Sequence, residues 1–168
     1  EREVAPSALA SFDQALSRRL AGEPIAYILG TKEFWDFELV VSPAVLIPRP
    51  ETELLVESAL EIVAHREGIQ HLLDLGTGSG AVAIALARAA ERIRVIGTDL
   101  SCDALTLARE NGGRLAGDNL GFVQGSWLCN ELCAAIAEYW KADAAGLVDV
   151  IVSNPPYIAP EDPHLSRG

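Results

Sequence analysis

Methionine is absent from the 168 residues, even at position 1, so the chain is expected to be a trimmed piece of a longer protein. Cysteine is scarce. Cys102, Cys129 and Cys133 form an odd set with no CxxC, and no nearby His or Cys completes a metal site. Reduced, half-buried thiols of a cytoplasmic protein are expected, rather than disulfides or zinc ligands. His65, His71 and His164 lack the spacing of a metal site or a catalytic triad. They are read as surface or helix-end residues, and no metal is expected. Positive charge is short as well: 13 Lys and Arg stand against 24 Asp and Glu, a net charge of −11. Such a chain lacks the electrostatic footprint of duplex binding, so no direct nucleic-acid partner is expected. No apolar run approaches the roughly 20 residues that span a bilayer. Residues 1–20 mix Glu, Arg, Asp and Gln with apolar positions, unlike a signal or transit peptide. With 49% hydrophobic residues and a mean hydropathy of +0.20, a buried core is nonetheless well supplied.

Leu9, Phe12, Leu16 and Leu20 recur at helical spacing, and Gly22 and Pro24 stop the helix. Residues 33–41 mix aromatic and β-branched side chains around Asp36, which predicts a short hairpin or two strand pieces. Pro43, Pro48 and Pro50 enforce an extended connection, and Pro50 suits the first turn of a new helix. Glu51 and Glu53 favour that helix's positive end, and Leu54, Leu55, Ala59, Ile62 and Val63 form its apolar stripe. From Ile69 onward the pattern alternates. Strands are predicted over 72–75, 93–98, 120–124 and 147–153. Helices are predicted over 81–90, from the Ser101 cap to about 115, and over 132–141. Alternation of this kind requires an α/β fold, a parallel sheet with helices on both faces.

The first of these strands runs into Asp74-Leu75-Gly76-Thr77-Gly78-Ser79-Gly80 and then a helix. Glycine there permits positive φ and lets backbone N–H groups approach a ligand closely. A tight turn without a ligand is the plain alternative. Asp99, at the end of the next strand, favours the ligand reading, because an acidic side chain there can accept two ribose hydroxyls. A dinucleotide and S-adenosylmethionine both suit the loop. Asp74 disfavours a pyrophosphate and suits a cationic ligand, which tilts the choice to S-adenosylmethionine.

Asn154-Pro155-Pro156-Tyr157 follows the fourth strand, which is expected beside the first at the crevice of a doubly wound sheet. The prolines stiffen the loop and remove two N–H groups. Asn154 offers an amide, and Tyr157 a flat face for a planar group. Together these residues could hold a planar –NH2 so that its lone pair faces an electrophilic methyl. A simple turn after a strand is the bland alternative.

The order of motifs now resembles a known family. Asn-Pro-Pro-Tyr is shared by methyltransferases acting on planar nitrogens. Residues 22–30 (GEPIAYILG), Phe34-Trp35, residues 47–53 (IPRPETE), DLGTGSG and IVSNPPY look together like the peptide chain release factor N5-glutamine methyltransferases, the PrmC/HemK type. The resemblance implies a Rossmann-like class I S-adenosylmethionine-dependent methyltransferase, here with an incomplete parallel sheet, preceded by a helix and a β-hairpin. Residues 1–30 would be the remnant of an N-terminal helical domain, 31–48 the hairpin linker, and 49–168 the N-terminal part of the methyltransferase domain. The implied reaction moves a methyl to the side-chain amide of the Gln in the Gly-Gly-Gln loop of a release factor. Gly76, Thr77, Gly78, Ser79 and Gly80 would line the cofactor, Asp99 would bind its ribose and Trp127 would flank its adenine. Asn154, Pro155, Pro156 and Tyr157 would grip the substrate amide, with Asn154 also beside the cofactor. The turn of Arg49, Pro50, Glu51 and Thr52 would close over the site. Ser126 stands before the Trp where similar proteins usually carry an acid. A cytoplasmic monomer with no membrane partner is expected. The rivals are an adenine amino-methyltransferase on DNA or RNA, which the charge of −11 argues against, and a non-catalytic cofactor-binding fragment. An NAD-dependent oxidoreductase is weaker still, since Asn-Pro-Pro-Tyr has no part in hydride transfer.

Overall fold

The computed structural model describes residues 5–127, 129–140 and 148–155. Helix α1 (Pro6–Leu20) begins on a proline whose missing N–H costs nothing there, and it ends with Arg18 and Arg19 at its negative pole. Its predicted apolar face forms, but Leu9, Phe12, Leu16 and Leu20 are all exposed. A short helix α2 (Ile25–Leu29) stops at Gly30, which takes the left-handed conformation at φ 76°. The Arg18 guanidinium ties the turn between the two helices, pairing with the Glu23 carboxylate and donating to the Tyr27 carbonyl.

The predicted hairpin is present as β1 (Thr31–Phe34) and β2 (Phe37–Val40), with Phe34 opposite Phe37 across a two-residue turn. Trp35 occupies that turn at φ 56°, and its N–H donates to Glu53 Oε1 at 2.9 Å. Strand alternation buries Phe37 and Leu39 and exposes Glu38. The buried side chains join the main core, where Arg88 lies over the Phe37 ring at 5.3 Å. A 3-10 turn over Pro50–Thr52 then leads into α3 (Glu53–Ala64).

Four parallel strands follow: β3 (Gln70–Leu75), β4 (Ile93–Asp99), β5 (Leu120–Gln124) and β6 (Val150–Ser153). They lie in the order β5-β4-β3-β6. Helices α4 (Ala81–Ala89), α5 (Cys102–Leu115) and α6 (Asn130–Trp140) make the crossovers. The chain builds outward from β3 to β5, then returns to the other side of β3. That reversal opens a crevice at the carboxyl ends of β3 and β6. Alternate residues face opposite layers. Leu72, Val95, Val150 and Val152 pack with α3, α4 and the hairpin. Leu73 and Ile96 pack with Leu132, Ile136 and Trp140 of α6.

Most element ends agree with the sequence reading to within two residues. The fourth strand is shorter than expected. Asp149 does not extend the ladder: its Oδ2 accepts the His71 N–H at 2.8 Å, and its own N–H donates to the His71 carbonyl at 2.8 Å. Leu147 and Lys141 lie outside the described residues. Helix α6 starts two residues early, where the Cys129 sulfur accepts the Leu132 N–H at 3.3 Å.

Two expectations need correction. His71 is buried rather than at the surface, because it shares the Leu73 side of a central strand and meets the Trp140 ring edge-on at 4.8 Å. His65 is exposed at the end of α3, and His164 lies outside the described residues. Of the thiols only Cys129 is half-buried; Cys102 and Cys133 are exposed on outward helix faces. Among the described residues no helix is long and apolar enough to cross a membrane, and no acidic, His or Cys cluster could hold a metal.

Candidate functional site

The glycine loop is anchored on its neighbouring strand. Gly76 and Thr77 both donate their N–H groups to the Thr98 carbonyl at 2.8 Å. Gly76, Gly78 and Gly80 have φ of 76°, 56° and 85°, which side chains bearing a Cβ rarely adopt. A Cβ on Gly78 would meet nothing within 4 Å, so the loop leaves open space at that point. The loop sits close to β4 because that strand carries Gly97. A Cβ there would fall 2.7 Å from Thr77 Oγ1 and 2.8 Å from the Phe122 ring. Sequence reasoning passed over Gly97, although a glycine inside a strand is a known sign of close backbone approach.

Asp99 faces the loop as expected, and it is already engaged with backbone. Its Oδ2 accepts the Gly78 N–H at 3.0 Å and its Oδ1 the Ser101 N–H at 3.0 Å. Each oxygen keeps a further lone pair for a ligand hydroxyl. Asp74 is only 2% exposed, and its Oδ2 accepts the Thr77 hydroxyl at 2.7 Å. Burial pushes its carboxyl up from 3.8 to about 6; the Thr77 hydroxyl and the Ala83 backbone oppose this, and the charge of Asp99 adds to it. Trp127 is exposed, with its indole edge near the loop: Cζ2 would lie 3.4 Å from a Cβ on Gly76.

Asn154 leaves the end of β6 and donates from Nδ2 to Thr52 Oγ1 at 2.9 Å, across 102 positions of sequence. Its companion Pro155 is half-buried, while Pro156 and Tyr157 lie outside the described residues. One cleft gathers Asn154, Asp74, Gly76–Ser79, Ala81 and Val82, with Leu46–Pro48 and Thr52 as its outer wall. Of the predicted cofactor residues, Gly76, Thr77, Gly78, Ser79 and Asn154 line this cleft. Gly80, Asp99 and Trp127 flank it. The structure does not bring Arg49, Pro50 and Glu51 into the lining; they are exposed. Thr52 lines the cleft instead, because the 3-10 turn points its side chain inward and buries it to 9% exposure.

Among the described residues, the cleft's walls carry one carboxyl group, Asp74, and no Lys or Arg. A pyrophosphate would find no cation here and would face a buried acid. A cationic, phosphate-free nucleoside such as S-adenosylmethionine fits these residues: a glycine loop with open space at Gly78, a buried acid, a nearby indole and Asp99 beyond the loop.

Comparison with known proteins agrees with this chemistry. Residues 68–159 match the family described as "Methyltransferase domain", and residues 1–30 match the "PrmC N-terminal domain". The release factor glutamine methyltransferase of Vibrio cholerae is 52% identical over 160 residues, 95% of this chain and 51% of that protein. The Escherichia coli strain K12 protein of the same name is 42% identical over 168 residues, 100% of this chain and 56% of its own length. The chain thus spans about half the length of the curated relatives it matches. Among solved structures, the N-terminal domain of human METTL16 in complex with SAH superimposes with a TM-score of 0.54 at 17% identity. It covers 73% of this chain and 47% of that one, a likeness of fold. With that family match extending over more than half of its length, the chain belongs to the methyltransferase-domain family, in the branch that carries a PrmC N-terminal domain.

Proposed function

We propose that this chain provides the cofactor cleft and amide-gripping loop of an S-adenosylmethionine-dependent methyltransferase acting on release factors. The target is the side-chain amide nitrogen of the Gln in their Gly-Gly-Gln motif, and translation termination places the reaction in the cytoplasm. In this reading residues 1–30 belong to a helical domain, 31–48 to a hairpin linker and 49–168 to the methyltransferase domain. The observation that carries it is the meeting of Asn154 with the glycine loop in one cleft over a buried acid. The relatives, release factor glutamine methyltransferases by name, supply the substrate class.

When bound, S-adenosylmethionine supplies an electrophilic methyl on a sulfonium. The chain's part is to hold and to orient. Gly76–Ser79 give the cofactor a surface without side chains in the way, and Asp74 offers negative charge beneath it. Asp99 accepts ribose hydroxyls while keeping the loop in shape through Gly78. Trp127 flanks the adenine. Asn154 Oδ1 and the Pro155 carbonyl accept the two amide hydrogens of the substrate, and Pro156 and Tyr157 complete the grip. A carboxamide nitrogen is a poor nucleophile, so positioning matters most; near-attack geometry is worth roughly 7–11 kcal/mol in the best-oriented systems. With cofactor bound, the amide held by Asn154 and Pro155 would take the methyl through its nitrogen lone pair while the S–C pair would remain on sulfur, and water would receive the nitrogen's proton.

The test is mass spectrometry of a release factor incubated with the full-length protein and labelled cofactor. One methyl on the Gly-Gly-Gln glutamine is expected, and none with Asn154→Ala, which should still bind cofactor. Methylation of nucleic acid instead would replace this reading with the adenine one. Asp99→Ala should weaken cofactor binding by calorimetry, and an unchanged Kd would remove Asp99 from the site.

A further inference from the structure

Thr52 closes the 3-10 turn that runs into α3, and its φ and ψ of −69° and −20° are helical, so the extended residue that starts this helical run is Arg49 and not Thr52. The Thr52 side chain makes no capping bond. Its Oγ1 accepts the Nδ2–H of Asn154 at 2.9 Å, and the side chain is buried in the wall of the cleft. A buried hydroxyl bonded to a residue 102 positions away ties this turn to the wall of the cleft.

A carboxamide has a donor end and an acceptor end of nearly the same shape. Turned one way Asn154 accepts a hydrogen from a substrate –NH2; turned the other way it presents its own –NH2 and repels it. We infer that Thr52 is a positioning residue: by accepting the Asn154 Nδ2–H it restrains the side-chain amide in the cleft wall, so that the acceptor end is held in place for the substrate. This deepens the proposed amide methylation and rests on it. It also explains why the Pro50–Thr52 turn tightens to a 3-10 helix just before α3: the turn delivers Thr52 inward while Arg49, Pro50 and Glu51 stay outside.

Thr52→Val keeps the shape and removes the hydroxyl; Thr52→Ser keeps the hydroxyl. In the full-length protein, Thr52→Val should slow single-turnover methyl transfer at saturating cofactor about tenfold, the equivalent of one net hydrogen bond. Its cofactor Kd should stay near wild type, and Thr52→Ser should recover most of the rate. A Thr52→Val enzyme at wild-type rate overturns the inference, as does a Ser variant as slow as Val. A Kd that weakens in step with the rate makes Thr52 a wall residue and overturns it too. NMR of the Asn154 side-chain amide separates this from failure of the methylation reading. Thr52→Val should speed exchange of its Nδ2 protons whether or not any glutamine is methylated, and unchanged exchange rates would refute the role of Thr52 directly.

Discussion

Substituting Asp74 by Asn should change how stability depends on pH. Asp74 lies at the end of β3 between Gly97 and Val152, and it is 2% exposed. Its carboxyl titrates at about 6 in the folded chain against an ordinary 3.8, chiefly because burial penalises the anion. Between those values the folded state holds a proton that the unfolded chain has released, so stability falls as pH rises from about 4 to about 6. Above 6 both states are ionised and the loss is constant. At about 1.4 kcal/mol per pKa unit, Asp74 costs the fold about 3 kcal/mol at pH 7. An asparagine carries no such term. Its new –NH2 loses something for lack of an acceptor, but that loss does not vary with pH. The difference in unfolding free energy between Asp74→Asn and wild type should therefore move by roughly 2.4 kcal/mol, in the variant's favour, from pH 4 to pH 7. Urea unfolding of both chains at pH 4, 5, 6 and 7 measures this, and titrating groups that do not interact with Asp74 cancel in the difference. Parallel stability curves would refute the reasoning. The unfavourable acid is retained because a cationic ligand would relieve it: in the proposed function, wild-type affinity for cofactor rises between pH 5 and 7, whereas that of Asp74→Asn stays flat.

Gly97→Ala should destabilise the chain by about 1–3 kcal/mol, since its Cβ would press on Thr77 Oγ1 and the Phe122 ring; a melting temperature equal to wild type would show that the loop yields freely. Asn111→Ala should cost about 3 kcal/mol in urea unfolding. The fully buried Asn111 accepts the Val40 N–H at 2.8 Å and donates to the carbonyls of Val40 and Ser79, each at 3.0 Å. A loss under about 1 kcal/mol would mean that solvent reaches those groups.

The branch of the family and the line of the sheet were legible from the sequence for local reasons. Leu72–Leu75 and Ile93–Thr98 are short apolar runs, DLGTGSG breaks one of them where only glycine is at ease, and Ser101 caps its helix with its own hydroxyl at 3.2 Å from the Ala104 N–H. Each signal lies within a few residues of the structure it causes. Tertiary structure decided what depends on neighbours far along the chain. His71 gave no sign of burial, because the Trp140 ring that covers it comes from a helix across the sheet. The role of Asn111 was invisible, because the hairpin edge and loop carbonyl it joins lie 71 and 32 positions away. In the sequence Thr52 reads only as part of a turn expected to close over the site, and only folding brings Asn154 within reach of its hydroxyl. Periodicity and glycine placement are properties of a segment, whereas the orientation of a buried amide is set by whichever side chain the fold puts beside it.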